Sequence, residues 1–227
     1  MPAPLSIIIP ALNAAADLPL CLASLMPGVE AGLIREVILV DGGSGDETRA
    51  MADAAGCTVL ESPPGRATQL RRGAEAARGD WLLFLHADTA LGHNWAERTG
   101  DHIAKSRDMA ACFTLAYRSD APEARWLAAR ANRRTRWLGV PYGDQGLLVS
   151  RTLYEAVGGY PDVPLMEDVA IVRAIGKRRL VILSAEARTS AEKYERDGWR
   201  RRAYHNAWLA LRYGLGAAPE TLARRYR

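Results

Sequence analysis

Cysteine is scarce in this chain: Cys21, Cys57 and Cys112 are the only three among 227 residues, scattered and odd in number. They fit neither a zinc-ligand spacing nor a disulfide framework, so a reducing cytoplasm is the expected compartment. A run of roughly 18 or more apolar residues is missing, which argues against a bilayer-spanning helix. The first residues lack the basic and long apolar stretches of a secretory signal. Internal repeats and low-complexity segments are absent too. Large charge imbalance is also lacking, with 30 basic against 26 acidic residues and a formal net charge of +4. That balance implies no nucleic-acid partner. What charge there is lies unevenly. Segments 125–136 and 196–227 are dense in arginine and poor in acids, a distribution suited to an anionic ligand or an anionic membrane surface.

The length fits one large domain or two small ones and suffices for a real core. The β-branched run at 5–9 predicts a strand ended by Pro10. Apolar spacing at Leu18, Cys21, Leu22 and Leu25 predicts a helix over 17–26, stopped by Pro27 and Gly28. Strands follow at 36–40, 58–61 and 81–85, separated by helices at 46–55 and 66–77. Strands alternating with helices of this length imply crossover units and a parallel sheet, a nucleotide-binding type of half-domain. Beyond Asp88 the rhythm changes. Helices are expected at 94–105, 123–137, 152–157 and 167–175, with strands at 111–117, 146–150 and 180–183. The 123–137 helix should carry Trp126, Leu127, Ala131 and Leu138 on its apolar side. The tail, 197–213, reads as a basic helix carrying Trp199, Tyr204, Trp208, Leu209 and Leu211. No linker divides the halves, so one compact α/β domain with a C-terminal helical appendage is expected.

The stretch Asp80–Thr89, DWLLFLHADT, is the most informative. A buried strand ends abruptly in His86, Ala87 and Asp88, and alternation along a strand would send His86 and Asp88 to one side. An imidazole beside a carboxylate could hold a divalent cation, at the sheet edge where open α/β folds bind ligands. A polar pair merely ending a strand is the competing reading. The same edge should carry Pro10-Ala11-Leu12-Asn13 and Asp41-Gly42-Gly43-Ser44-Gly45-Asp46. Those glycines permit close backbone approach, and free helix N–H groups suit an anion or a nucleotide. Asp41 could accept from a base or ribose, whereas Asp46 could simply cap the next helix. The glycines do not fit G-x-G-x-x-G and follow the second strand, which disfavours a dinucleotide-binding oxidoreductase.

SIIIPALN, REVILVDGGSGDET, GRATQLRRGAEAARGDWLLFLHADT and GGYPDVPLMEDVAI stand in the order and spacing of the family 2 glycosyltransferases with the GT-A fold. The resemblance covers roughly residues 6–176. LLFLHADT, PYGDQGLLVSR and the Arg-rich tail resemble a bacterial subgroup described as radical-SAM/selenodomain-associated glycosyltransferases. The resemblance implies a Rossmann-like, mostly parallel central sheet flanked by helices. It also implies inverting, non-processive transfer from a nucleotide-diphosphate sugar to an acceptor hydroxyl, assisted by Mn²⁺ or Mg²⁺. A domain over 1–190 would divide into a donor half, about 1–90, and an acceptor half, about 91–190, with the basic segment 191–227 packed on or beside it.

Residue by residue, Asp41 matches the base-contacting aspartate, and Pro10, Asn13 and Gly43 belong to the same donor-binding loops. Arg66 and Gln69 in GRATQ match positions near the nucleotide. His86, Ala87 and Asp88 stand where the family has its D-x-D metal motif; Asp88 matches the cation ligand, and His86 replaces the usual aspartate. Glu167 and Asp168 match the family's E-D pair, with Asp168 the expected base, although a helix-capping role is compatible. Asp144 is a second candidate carboxylate, or only part of a turn. Trp137 and Tyr142 would stack on a sugar or else belong to the core. Arg196 and Arg200 are expected near the diphosphate. The Q-x-x-R-W signature of processive synthases is missing. The basic tail could instead lie on anionic lipid or form a solvated face. A non-catalytic nucleotide-sugar binding protein is the alternative function. A sugar-phosphate nucleotidyltransferase fits less well, because PALNAAAD lacks the Gly-rich, cationic loop after the first strand.

Overall fold

The computed structural model describes residues 3–106 and 108–224; the end of the 191–227 segment therefore lies outside the described residues. In chain order the elements are β1 (Leu5–Ala11), α1 (Leu18–Ala23), α2 (Met26–Glu30), β2 (Ile34–Asp41), α3 (Thr48–Ala54), β3 (Thr58–Glu61) and α4 (Arg66–Ala76). Then come β4 (Trp81–Phe84), β5 (Thr89–Leu91), α5 (Trp95–Lys105), β6 (Ala110–Tyr117) and α6 (Pro122–Leu138). The remainder comprises β7 (Leu147–Ser150), α7 (Arg151–Ala156), α8 (Glu167–Ile175), β8 (Leu180–Thr189), α9 (Glu192–Asp197), α10 (Trp199–Gly214) and α11 (Pro219–Ala223).

The strands form one eight-stranded sheet in the order β3-β2-β1-β4-β7-β6-β8-β5. The first four are mutually parallel, as expected from their β/α alternation. β7 reverses the direction beside β4, and β6 and β8 are parallel to each other. This mixed α/β sheet flanked by helices is the GT-A architecture. Alternate residues of the apolar runs feed two cores, one on each face. Ile7, Ile9, Leu83 and Phe113 pack with α1 and α5, whereas Ile8, Ile38, Leu82 and Phe84 pack with α4, α7 and α8. Both faces being covered explains why these strands read as unbroken hydrophobic runs. Contact with α4 is very close: a Cβ on Gly73 would lie 2.3 Å from Ile8 Cγ2, so only glycine fits there.

Several expected boundaries shift for physical reasons. The helix expected over 17–26 ends at Ala23, and Pro27 sits in the first turn of a second short helix begun at Met26 rather than stopping the first, since a first-turn residue needs no N–H partner. β8 runs to Thr189 instead of ending at Leu183. Its second half alternates exposed Ser184, Glu186 and Arg188 with buried Ala185, Ala187 and Thr189, a period-two pattern concealed by small and polar residues. β5, three residues long, was not expected; it pairs antiparallel with that extension. On α6 the buried face is Ala124, Ala128, Ala131 and Thr135, while Trp126 and Leu138 are exposed. Small residues at that spacing let the helix approach β6 closely, so its large side chains turn outward. The tail helix breaks at Gly198, which has φ +85°. Among the described residues no helix is long and apolar enough to cross a membrane.

Candidate active site

Three of the parallel strands end at a common edge, and their following loops are tied together by side chains. Asn13, in a left-handed conformation with φ +51°, accepts at Oδ1 from Gly45 N–H (2.9 Å), and its own N–H donates to Ser44 Oγ (2.8 Å). Asp46 accepts from Ala15 N–H and from Thr48 N–H, so it serves both as a helix-start partner and as a cross-loop tie. Asp41, almost fully buried, spends its carboxylate on the N–H groups of Gly43 and Ser44. The short polar side chains in PALN and DGGSGD thus hold these loops in one arrangement. Gln69 lies beneath them. Its Nε2 donates to the carbonyls of Ala11 and Val40, each at 2.7 Å, fastening the ends of β1 and β2.

β4 ends at Phe84, and residues 86–89 form a turn closed by Thr89 N–H to the His86 carbonyl. Strand alternation therefore does not govern His86 and Asp88, yet both line the same cleft. Ala87 points away, buried in the core. Asp88 is held from the far end of the chain: Oδ1 accepts from Thr189 Oγ1 (3.3 Å), and its carbonyl accepts from Ser190 N–H and Arg118. The cleft, about 1010 Å³, also takes in Arg66, Asp144, Glu167, Asp168 and Arg200.

Asp168 Oδ2 accepts from Gly143 N–H (2.9 Å), and Oδ1 accepts from Val169 N–H (2.7 Å). The second bond satisfies a free first-turn donor of α8, and the first fixes the carboxylate toward the 3₁₀ turn that carries Asp144. Met166 precedes α8 with φ +67°, a costly conformation for a non-glycine residue, and sits in the cleft wall. Asp144 Oδ1 is buried without a hydrogen-bond partner among the described residues. Burial, with Asp168 and Asp88 adding repulsion, pushes its carboxyl up to about 6 despite the opposing pull of Arg134. Burial and Asp168 likewise push Glu167 up to about 7, tempered by Arg66, whose Nη1 lies 3.8 Å from Glu167 Oε1.

His86 packs so tightly on Gly143 that a Cβ there would lie 2.5 Å from its Nε2. Burial, then Arg66, pushes its imidazole down to about 3, so the ring is neutral at physiological pH. A neutral imidazole and the Asp88 carboxylate are ligand types that a divalent cation accepts. Among the described residues no group of three or more His, Cys, Asp or Glu is placed to hold a metal ion.

Of the residues expected from sequence, the cleft gathers Arg66, His86, Asp88, Asp144, Glu167, Asp168 and Arg200. Pro10, Asn13, Asp41, Gly43 and Gln69 form the neighbouring loop platform and do not line the cleft. Arg196 is exposed and paired with Asp197 at 2.8 Å. Tyr142 is in the cleft with Arg134 stacked 3.5 Å from its ring centroid, whereas Trp137 is solvent-facing. Sequence reading missed Arg134, Thr189 and Lys193. Thr189 carries no local signal, because its role depends on β8 reaching Asp88.

Glu167 offers a direct test of this electrostatic picture. Its unfolded-state carboxyl titrates near 4.5, and its folded one near 7. Between those values the folded chain retains a proton that the unfolded chain has released, so this group's contribution to stability falls as pH rises through the window. Glu167→Gln should therefore gain in Tm relative to the parent from pH 4.5 to 7, with a constant difference above. A Tm difference independent of pH would refute the assignment.

Comparison with known proteins agrees with the fold. A mycobacterial PGL/p-HBAD biosynthesis glycosyltransferase (Mycobacterium bovis BCG) is 42% identical over 99 residues, 40% of this chain and 38% of that protein. Glucosyl-3-phosphoglycerate synthase of Mycobacterium tuberculosis is 35% identical over 98 residues, 39% of this chain and 30% of that one. The matches thus span under two fifths of these relatives' lengths. Among solved structures, TarS residues 1–349 of S. aureus superposes with a TM-score of 0.61 at 16% identity, covering 83% of this chain and 60% of that one. Glucosyl-3-phosphoglycerate synthase crystallised with Mn²⁺, UDP and glucosyl-3-phosphoglycerate gives 0.54 at 22%, covering 82% and 70%. The model of the family described as "Glycosyl transferase family 2" matches residues 6–160, well over half the chain, and the chain belongs to that family.

Proposed function

We propose that this chain transfers a sugar from a nucleotide-diphosphate donor to an acceptor hydroxyl, non-processively and with inversion. The observation carrying this reading is the single cleft that joins Arg66, His86 and Asp88 to Asp144, Glu167 and Asp168. The cleft sets cationic groups and candidate cation ligands close to carboxylates able to take a proton. The donor half, about 1–90, would supply the loop platform for the nucleoside; the half from about 91 to 190 would supply the acceptor side. The segment 191–227 would close the cleft with Arg200. A relative that binds UDP with Mn²⁺ supports this class of donor and cofactor. The radical-SAM/selenodomain subgroup reading rests only on the sequence motifs that suggested it.

The leaving nucleoside diphosphate gathers negative charge as the glycosidic bond breaks. His86 and Asp88 would hold the divalent cation, which when bound supplies charge stabilisation to that leaving group. Arg66 and Arg200 add positive charge on the same wall. Asp168, oriented by two backbone N–H donors and keeping lone pairs on both oxygens, would accept the acceptor's hydroxyl proton. Backside attack on the anomeric carbon then gives inversion. Glu167, buried with its Oε1 3.8 Å from Arg66 Nη1, would position the Arg66 guanidinium. The orphaned Oδ1 of Asp144 supports a second reading, in which Asp144 takes the proton and Asp168 orients the loop.

A thermal-shift screen of UDP-, GDP- and dTDP-sugars with and without Mn²⁺ tests the donor class. One class should stabilise the protein in a cation-dependent manner and be hydrolysed slowly. Stabilisation without any donor turnover would instead identify a nucleotide-sugar binding protein.

A further inference from the structure

α10 carries apolar residues on its exposed side as well as on its buried one. Leu209 faces inward, fully buried, while Tyr204, Trp208, Leu211 and the adjoining Leu215 are 77%, 37%, 61% and 77% exposed. Their spacing of four, three and four residues places them on one stripe about 16 Å long. Arg201 and Arg212 are exposed beside the stripe, and Arg212 lies over the Trp208 ring, 5.3 Å from its centroid. From Trp199 to Gly214 there are four arginines and no acid.

We propose that this stripe docks α10 on an anionic lipid bilayer. Tyr and Trp suit the boundary between headgroups and acyl chains, leucines suit the layer beneath, and flanking arginines pair with lipid phosphates. A second copy of the chain fits poorly. A two-fold pairing of the stripes would oppose Arg201 and Arg212 with their own like charges, with no acid on α10 to compensate. The α6 helix, which reaches the same cleft through Trp126 and Arg130, adds five arginines against one glutamate. Tyr204 heads the stripe and also lines the cleft. The cleft therefore opens at the docked face, and an acceptor resident in the bilayer would enter there. That last step rests on the glycosyltransferase reading; the docking itself does not.

Flotation with vesicles of phosphatidylcholine alone, and with an equal mixture of phosphatidylcholine and phosphatidylglycerol, tests the surface. The full chain should float with the anionic mixture, less so at high salt, and only weakly with the neutral vesicles. The exposed positions allow Leu211→Glu with Leu215→Glu to leave the fold intact, as an unchanged Tm would verify. That variant should partition at least about tenfold more weakly. Arg201→Ser with Arg212→Ser should erase the preference for anionic vesicles. Undiminished flotation of the leucine variant, or equal partition of the parent into both vesicles, would overturn the proposal. So would a concentration-dependent dimer dispersed by the leucine variant without vesicle binding. Donor stabilisation in solution needs no vesicle, so failure of docking and failure of the catalytic reading are separately visible.

Discussion

Asp168→Asn should lower sugar transfer by roughly 10²–10⁴-fold while leaving donor affinity close to that of the parent. The substitution keeps the size of the side chain and one oxygen acceptor, so the bond from Gly143 N–H or from Val169 N–H can persist. What it removes is the ability to bind a proton. Donor titration by thermal shift, paired with single-turnover transfer, separates these effects: binding survives and the chemical step collapses. Asp144→Asn provides the control. If Asp168 is the base, the Asp144 variant loses far less transfer. It should also gain stability relative to the parent as pH rises from 3.8 to about 6 and keep that gain above, because a buried carboxylate with an orphaned oxygen has been neutralised. Transfer at the parental rate by the Asp168 variant would assign the proton to Asp144.

Asp88→Ala should abolish the Mn²⁺-dependent part of nucleotide stabilisation and reduce transfer on the order of 10³-fold. The effect is large because Asp88 is the anionic member of the pair that would hold the cation; His86 is neutral and cannot replace its charge. Local folding should tolerate the change. Asp88 is held mainly through its backbone carbonyl, to Ser190 N–H and Arg118, while among the described residues its carboxylate receives two long hydroxyl contacts at 3.3 Å. Thermal shifts of the variant with each nucleotide, with and without Mn²⁺, give a readout independent of turnover. Equal cation-dependent stabilisation of variant and parent would remove Asp88 from the metal site.

The first four strands and the helices between them were legible because their signals are local. Buried parallel strands must be apolar on both faces, and each crossover helix repeats its apolar residues along one side. The strand-end motifs were legible for a related reason: short polar and glycine residues interrupting apolar runs mark the loops at the sheet edge. Residues 180–189 were harder, since the end of a strand made of alanine, glutamate and arginine shows its alternation only when one face is known to be covered. The face of α6 was misleading. Trp126 and Leu138 weigh heavily in any hydrophobic pattern, yet the requirement at β6 was for close approach, which alanines meet and tryptophan cannot.

The sequence by itself determined the α/β class and the sheet edge that the strand-end motifs share, and it named most carboxylates of the candidate site, since each depends on contacts within a few tens of residues. Tertiary structure alone decided which charges share a cleft. Asp88 meets Thr189 across 101 residues of chain, Gly143 meets Asp168 across 25, and Arg134 is drawn from its neighbouring arginines only by the helix face that α6 turns to the cleft. Those choices follow from packing, in which long-range contacts select among side chains that are locally equivalent. Burial then acts on the selected groups, lifting Asp144 and Glu167 and holding His86 neutral, an outcome that depends on the folded surroundings rather than on residue type.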